Sequence, residues 1–288
     1  RSTLFPYTTL FRSALAIIGI ILLFLIGLSV LLYPTVSNWW NQKFANQVIK
    51  DYDKKIASGE IDFKKEFKKA EDYNNHLSPK VVPDAFSAKE HKRDKAYEKC
   101  LNVAGGGVMG YVVIPVIDVK LPIYHYTSEK VFKKGAGHLC GSSLPIGGIG
   151  THAVLSAHRG LPSAKMFTDL NLLKKGDCFY MHILNRKMAY KVDQIKTVKP
   201  SKTEALQIDK NCDYVTLVTC TPYGVNSHRL LVRGHRIPYN VESEHSDARR
   251  DVKHILIVLL SILIGGGLAV VVMRIVGKKG IWIFKIRK

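Results

Sequence analysis

The chain has 288 residues, with 43 Lys and Arg against 23 Asp and Glu, giving a formal net charge of +20. That length allows one or two domains. The charge invites a nucleic-acid reading, but it is spread through amphipathic segments with no zinc-finger spacing, helix-turn-helix pattern or aromatic RNP stretch, so no nucleic-acid partner is expected and a basic domain facing an anionic envelope suffices.

Residues 1–13 (RSTLFPYTTLFRS) lack an initiating Met and repeat TLF within themselves. They resemble a translated sequencing-adapter oligonucleotide and are set aside from the charge and topology reading. Ala14 to Tyr33 follows, 20 residues without a charge. As a helix it is long enough to cross roughly 30 Å of hydrocarbon, and it is too long for the apolar part of a cleaved signal peptide. An uncleaved signal-anchor over 14–33 is expected.

From Asn38 to Lys99 the pieces NQKFANQVIKDYDKKI and IDFKKEFKKAEDYNNHL contain neither Pro nor Gly, and Gly59 separates them. Two or three helices are expected, so 34–109 reads as a helical appendage interrupted by a loop at VVPDAFS (Val81 to Ser87). Gly105, Gly107 and Gly110 match G-x-G-x-x-G, but a charged segment precedes them and a strand-like run follows, the reverse of a dinucleotide site. They read as a flexible entry into the first strand.

Across 110–240, short Val/Ile/Tyr-rich runs alternate with Gly, Pro and Asp turns: GYVVIP, VKLPIYHY, HAVLSAH, FYMHIL, MAYKVDQIKTV, YVTLVTC and RLLVRGHRI. Mainly β structure, a barrel or a sandwich, is expected, with one helical insertion near Lys165 to Leu173. A juxtamembrane linker (241–254) leads to Ile255–Met273, 19 apolar residues opening a second span at 255–276. The tail 277–288 carries Lys278, Lys279, Lys285, Arg287 and Lys288, which the positive-inside rule puts in the cytoplasm. Two spans then leave both termini cytoplasmic and about Pro34 to His254 outside the cell membrane.

Five cysteines, Cys100, Cys140, Cys178, Cys212 and Cys220, form an odd set outside the apolar runs, so at least one thiol is unpaired. None lies in a CxxC motif, no HExxH or Cys/His cluster offers a metal site, and no cofactor is expected. Cys220 ends an apolar strand in TLVTCTPYGVNSHR, where a side chain can emerge at a barrel rim. A core thiol is the commoner role for a single cysteine. Arg229, beyond the Pro222-Tyr223-Gly224 turn, can stand beside it on the next strand and hold an oxyanion. Among eleven histidines, His158 ends another strand in AVLSAHRG and is a candidate partner. The spacing leaves His152, His228 and His235 open, the last two reading better as surface or packing residues.

TLVTCTPYGVNSHRLLVRGHR together with THAVLSAHRGLPSAKMFTDL resembles the sortase family of cysteine transpeptidases on Gram-positive surfaces. The resemblance runs from about Gly110 to Ile237 and implies an eight-stranded sortase β-barrel. The signature TLxTC falls on Thr216, Leu217, Thr219 and Cys220, which implies Cys220 as nucleophile, His158 as acid and Arg229 as the carbonyl or oxyanion ligand. PSAKMFTDL, PIYHYTSEKVFKKGAGHL and the second apolar run resemble the pilin-polymerising class C. That class implies a lid loop whose Asp and aromatic cover the cysteine, here Asp84 and Phe86, with Ala85 where Pro is usual. The implied reaction cleaves an LPxTG-type sorting signal between Thr and Gly through a thioacyl enzyme. A pilin lysine then accepts the acyl group, without a cofactor. Wall attachment of single surface proteins, or a catalytically silent sorting-signal binder, are the alternative expectations.

Overall fold

The computed structural model describes residues 7–77, 83–86 and 94–246, together with Leu260 and Gly267. The chain divides into two units, Arg1–Ala248 and Arg249–Lys288; both described residues of the second are helical. The second apolar run and the basic tail lie otherwise outside the described residues.

Helix α1 spans Tyr7–Ile56, 50 residues with Pro34 inside it. At 1.5 Å per residue it is about 75 Å long. The helix runs unbroken past Tyr33, where the expected signal-anchor ends. Proline removes one backbone donor and crowds the preceding turn, and α1 continues through it into the turns that pack on the domain. Among the described residues, the segment Ile18–Ile56 of α1 is the one helix long and apolar enough to cross a membrane, and its apolar part is not buried against the protein.

The second half of α1 packs on the domain. Ala45, Ile49 and Tyr52 fall on one stripe and are buried. The Tyr52 hydroxyl donates to the Met109 carbonyl at 2.9 Å and accepts from the Leu184 amide at 2.8 Å, so one side chain ties α1 to two separate barrel segments. Helix α2 (Phe63–Asn75) starts where Asp62 accepts from the Lys65 amide at 3.0 Å, and it buries Phe67 and Ala70. Helix α3 (Lys95–Lys99) is capped by Asp94 and buries Tyr97 completely.

Eight strands follow: β1 (Val108–Ile114), β2 (Val119–His125), β3 (Ala136–His138), β4 (Thr151–Ser156), β5 (Cys178–Ile183), β6 (Arg186–Val198), β7 (Asp213–Thr221) and β8 (His228–Ile237). They close into a barrel in the order β1-β2-β3-β4-β7-β8-β6-β5. Closure removes sheet edges and decides the barrel over the sandwich. Each of the seven expected runs forms a strand. β3 was not anticipated, because its three residues lie in a glycine-rich stretch with little strand propensity. Val112, Leu155, Phe179, Met181, Leu217 and Val232 fill the interior.

Two short helices complete the unit, α4 (Glu129–Phe132) and α5 (Val241–Ser246). The helical insertion expected at Lys165 to Leu173 is instead a series of turns with one 3-10 turn at Leu170–Leu172. Met166 takes a left-handed φ of 43° there, and the Phe167 amide bonds back to the His158 carbonyl at 3.0 Å. Burial of Phe167 and Leu170 shapes this loop, overriding the helical pattern of its sequence.

Candidate active site

β4 and β7 are parallel neighbours, paired from Thr151↔Asp213 to Ser156↔Val218. The Ala157 amide donates to the Val218 carbonyl at 3.2 Å, and the Thr219 hydroxyl donates to the Ala157 carbonyl at 2.8 Å. Carrying this register two residues beyond Ser156↔Val218 sets His158 level with Cys220. On the other side β7 pairs antiparallel with β8, where Cys220 stands directly opposite Arg229. The register of three adjacent strands thus brings His158, Cys220 and Arg229 to one rim.

The supporting motif residues have structural work. Thr219 locks β7 to the end of β4, as above. The Thr216 hydroxyl bonds the His152 ring at 2.7 Å, and Leu217 is buried inside the barrel. His152, left open by the sequence as a partner for Cys220, is buried between Thr216 and the Gln207 carbonyl. His228 lies half-buried at the start of β8, its ring beside the Ser227 hydroxyl. All five cysteines are free thiols, and Cys220 is buried.

Asp84 and Phe86 lie on top of this rim. The Arg229 Nε donates to Asp84 Oδ1 at 2.7 Å and Nη2 donates to Oδ2 at 2.8 Å, a bidentate pair with both side chains about nine-tenths buried. Nη1 donates to the carbonyls of Asn226 and His228 at 3.1 and 3.2 Å. The Phe86 ring lies 5.0 Å from the Arg229 guanidinium carbon, 6.0 Å from the His158 ring and 4.9 Å from Phe132, on which it stacks. Ala85, where proline was the expected residue, is 2% exposed among Leu139, Val154, Leu206, Val218 and Leu231. Packing therefore holds this segment without proline's fixed φ.

Electrostatics follow from this cover. Burial pushes the Cys220 thiol above its ordinary pKa; Arg229 pulls it down, while Asp84 and Glu129 push it up further. Burial works against the Arg229 charge, but the Asp84 carboxylate outweighs it and the guanidinium stays firmly charged. With Asp84 in place, the cation beside Cys220 is engaged elsewhere and the thiol is held neutral.

Three contributors were missed by the sequence reading. Glu129 Oε2 lies 3.3 Å from His158 Nε2, and the Phe132 ring lies 4.9 Å from the His158 ring. Both come from the one-turn helix α4, which has no periodicity to read. Arg159 donates from Nη1 to the Thr221 hydroxyl at 3.0 Å and from Nη2 to Asn171 Oδ1 at 2.9 Å, strapping the end of β4 to the end of β7. Next to it Gly160 has φ 81°, and a Cβ there would meet the Tyr223 ring at 3.0 Å, so only glycine fits this turn comfortably.

Two histidines near the site are structural, and they set an acid limit. Burial lowers both His138 and His152 to about 4. Each is neutral when folded and takes up a proton near 6.5 once unfolded, so both favour the folded state above pH 6.5. That contribution is expected to fall steadily between pH 6.5 and about 4, together on the order of several kcal/mol. Unfolding midpoints across this range would check it; a flat profile would contradict it.

A family model described as the sortase domain matches residues 112–237. Among curated proteins, sortase A of Bacillus anthracis is 32% identical over 127 residues; the match covers 44% of this chain and spans 59% of that relative. Among solved structures, sortase C-1 of Streptococcus pneumoniae is 50% identical with a TM-score of 0.62, covering 67% of this chain and all of that one. A sortase C of Streptococcus pneumoniae, described in terms of catalysis and pilin substrate specificity, is 44% identical with a TM-score of 0.63, covering 68% of this chain and 98% of that one.

Proposed function

The chain belongs to the sortase family of cysteine transpeptidases, and from that premise we propose that it is a class C enzyme joining pilin subunits at the outer face of a membrane. The observation carrying this reading is the bidentate Asp84–Arg229 pair, with Phe86 laid over His158. A cover of that kind suits a transferase awaiting a large protein substrate, and the pilin relative supports the substrate class.

The chemistry follows from the rim. Cys220 as thiolate attacks the Thr carbonyl carbon of an LPxTG-type signal, and the carbonyl oxygen takes the negative charge. Arg229 stands opposite Cys220 to hold that oxygen once Asp84 has left it. Collapse of the intermediate breaks the Thr–Gly bond, and His158 as imidazolium gives its proton to the leaving amine. The thioacyl enzyme is then resolved by a pilin lysine amine, which forms an isopeptide bond and returns the thiol. Asp84 and Phe86 form the lid in this scheme, and its opening frees the Arg229 charge and lowers the thiol pKa together. α1 is the membrane anchor, and the second span at 255–276 with its basic tail completes a two-span topology.

The test is an incubation with an LPxTG peptide and a pilin fragment bearing the acceptor lysine. A thioacyl adduct on Cys220 and an isopeptide product are expected by mass spectrometry. Transfer to small amines with none to the lysine would favour attachment of single surface proteins, a reading that the sortase A relative keeps in view. Binding without transfer would leave a silent sorting-signal binder.

The lid makes its own prediction. Asp84→Asn removes a carboxylate that raises the Cys220 pKa and releases Arg229, which lowers it. Labelling by a thiol reagent is therefore expected to accelerate at neutral pH, and its pH midpoint to fall. Equal rates and midpoints in both proteins would dismiss the lid.

A further inference from the structure

The turns of α1 from Ser37 to Phe44 have two unlike faces. The inner face holds the loop that follows His158. Ser37 Oγ and Asn41 Nδ2 both donate to the Ser163 carbonyl, at 3.1 and 2.7 Å, and the Lys165 amide donates to Asn38 Oδ1 at 2.7 Å. Two residues on, the Phe167 amide bonds the His158 carbonyl itself. The outer face carries Trp39, Trp40 and Phe44, which are 60%, 53% and 58% exposed. The Lys43 ammonium lies 5.5 and 6.0 Å from the two indole rings.

Three large aromatic side chains on one exposed helical face need an occupant, and the length of the helix identifies it. The 29 residues from Ala14 to Gln42 carry no charge. As helix they span about 44 Å, which matches a bilayer of about 40–45 Å with its headgroup layers included. Trp39 and Trp40 then fall in the outer headgroup layer, where indoles keep their apolar bodies in lipid and their N–H groups in water. Lys43 is the first charge after the run, and it meets that layer where anionic lipid attracts a cation.

We propose that this outer face is a seat for anionic phospholipid headgroups, and that the inner face of the same turns thereby holds the His158 loop at the level of the outer headgroup layer. The inference rests on α1 being the membrane anchor. It places the active-site rim within reach of a sorting signal presented at the bilayer surface.

The test uses the full chain with Trp282→Phe, leaving Trp39 and Trp40 as the fluorophores, in phosphatidylcholine–phosphatidylglycerol vesicles. Vesicle flotation reports the anchor independently. Expected are a blue-shifted emission, protection from aqueous iodide, and stronger quenching by lipids brominated near the headgroup than by lipids brominated deep in the chains. Full iodide quenching in protein that floats would overturn the seat while leaving the anchor intact. Protein that does not float would overturn the anchor and the seat together. Deep bromines quenching most strongly would put the face in hydrocarbon, against the proposal. Protection from both iodide and bromine, growing with the protein-to-lipid ratio, would assign the face to a second copy and also overturn it. For the positional half, Trp39→Ser with Trp40→Ser is expected to leave transfer from a soluble peptide unchanged and to slow transfer from a signal carried on a vesicle-embedded apolar tail. Equal slowing of both would overturn that half.

Discussion

Cys220→Ala is expected to abolish acyl transfer from an LPxTG peptide, a loss on the order of 10⁴-fold or more, as for removal of a covalent nucleophile. The fold should survive, because Cys220 closes the end of β7 and the change removes one sulfur from a rim position. Circular dichroism and thermal unfolding close to wild type would show that the loss is chemical. The thioacyl adduct should disappear from the mass spectrum in the same variant. Transfer continuing at the wild-type rate would end the assignment, since the other four thiols, Cys100, Cys140, Cys178 and Cys212, lie off the strand-end register that unites Cys220, His158 and Arg229.

Arg229→Ala is the second large effect. Removing a donor to a developing oxyanion costs about 10²–10³ in turnover. Here the substitution also leaves the Asp84 carboxylate, 8% exposed, without the cation that compensates it. Stranding one partner of a buried pair costs on the order of 3–5 kcal/mol, which the cover segment can relieve by moving out. The variant should therefore combine slow transfer with faster thiol labelling, and circular dichroism close to wild type would separate both results from unfolding. Arg229→Lys should not restore turnover, because a point-charge ammonium cannot present the planar, fixed pair of donors that a guanidinium offers to the substrate oxygen once Asp84 has left. Single-turnover kinetics would separate acylation from substrate binding. Wild-type acylation by the lysine variant would show that charge alone is required at this position.

The strands were legible because their periodicity is strong and their ends are marked by Gly, Pro and Asp. Cys220 and Arg229 were legible because a short turn joins two long runs, so that antiparallel pairing follows from the sequence between them. The single-turn α4 and the three-residue β3 were not, since neither is long enough to carry a period. The turns at 165–173 were misread as a helix for a related reason. Their apolar spacing serves burial of Phe167 and Leu170 against the barrel and does not reflect a helical face.

By itself the sequence determined the strand content, an apolar helix of membrane length, the position of a thiol at a strand end, and the arginine across the turn from it. These depend on neighbours close along the chain, whose spacing and propensities are local physics. Only the tertiary structure decided that β4 runs parallel to β7, the pairing that carries His158 to Cys220 from 62 residues away. It also decided that Asp84 occupies Arg229 from 145 residues away, and that the helix carrying the membrane-length run continues into the clamp on the His158 loop. Contacts of that separation are selected by closure of the barrel and burial of its core, where free energy depends on the whole set of packed side chains.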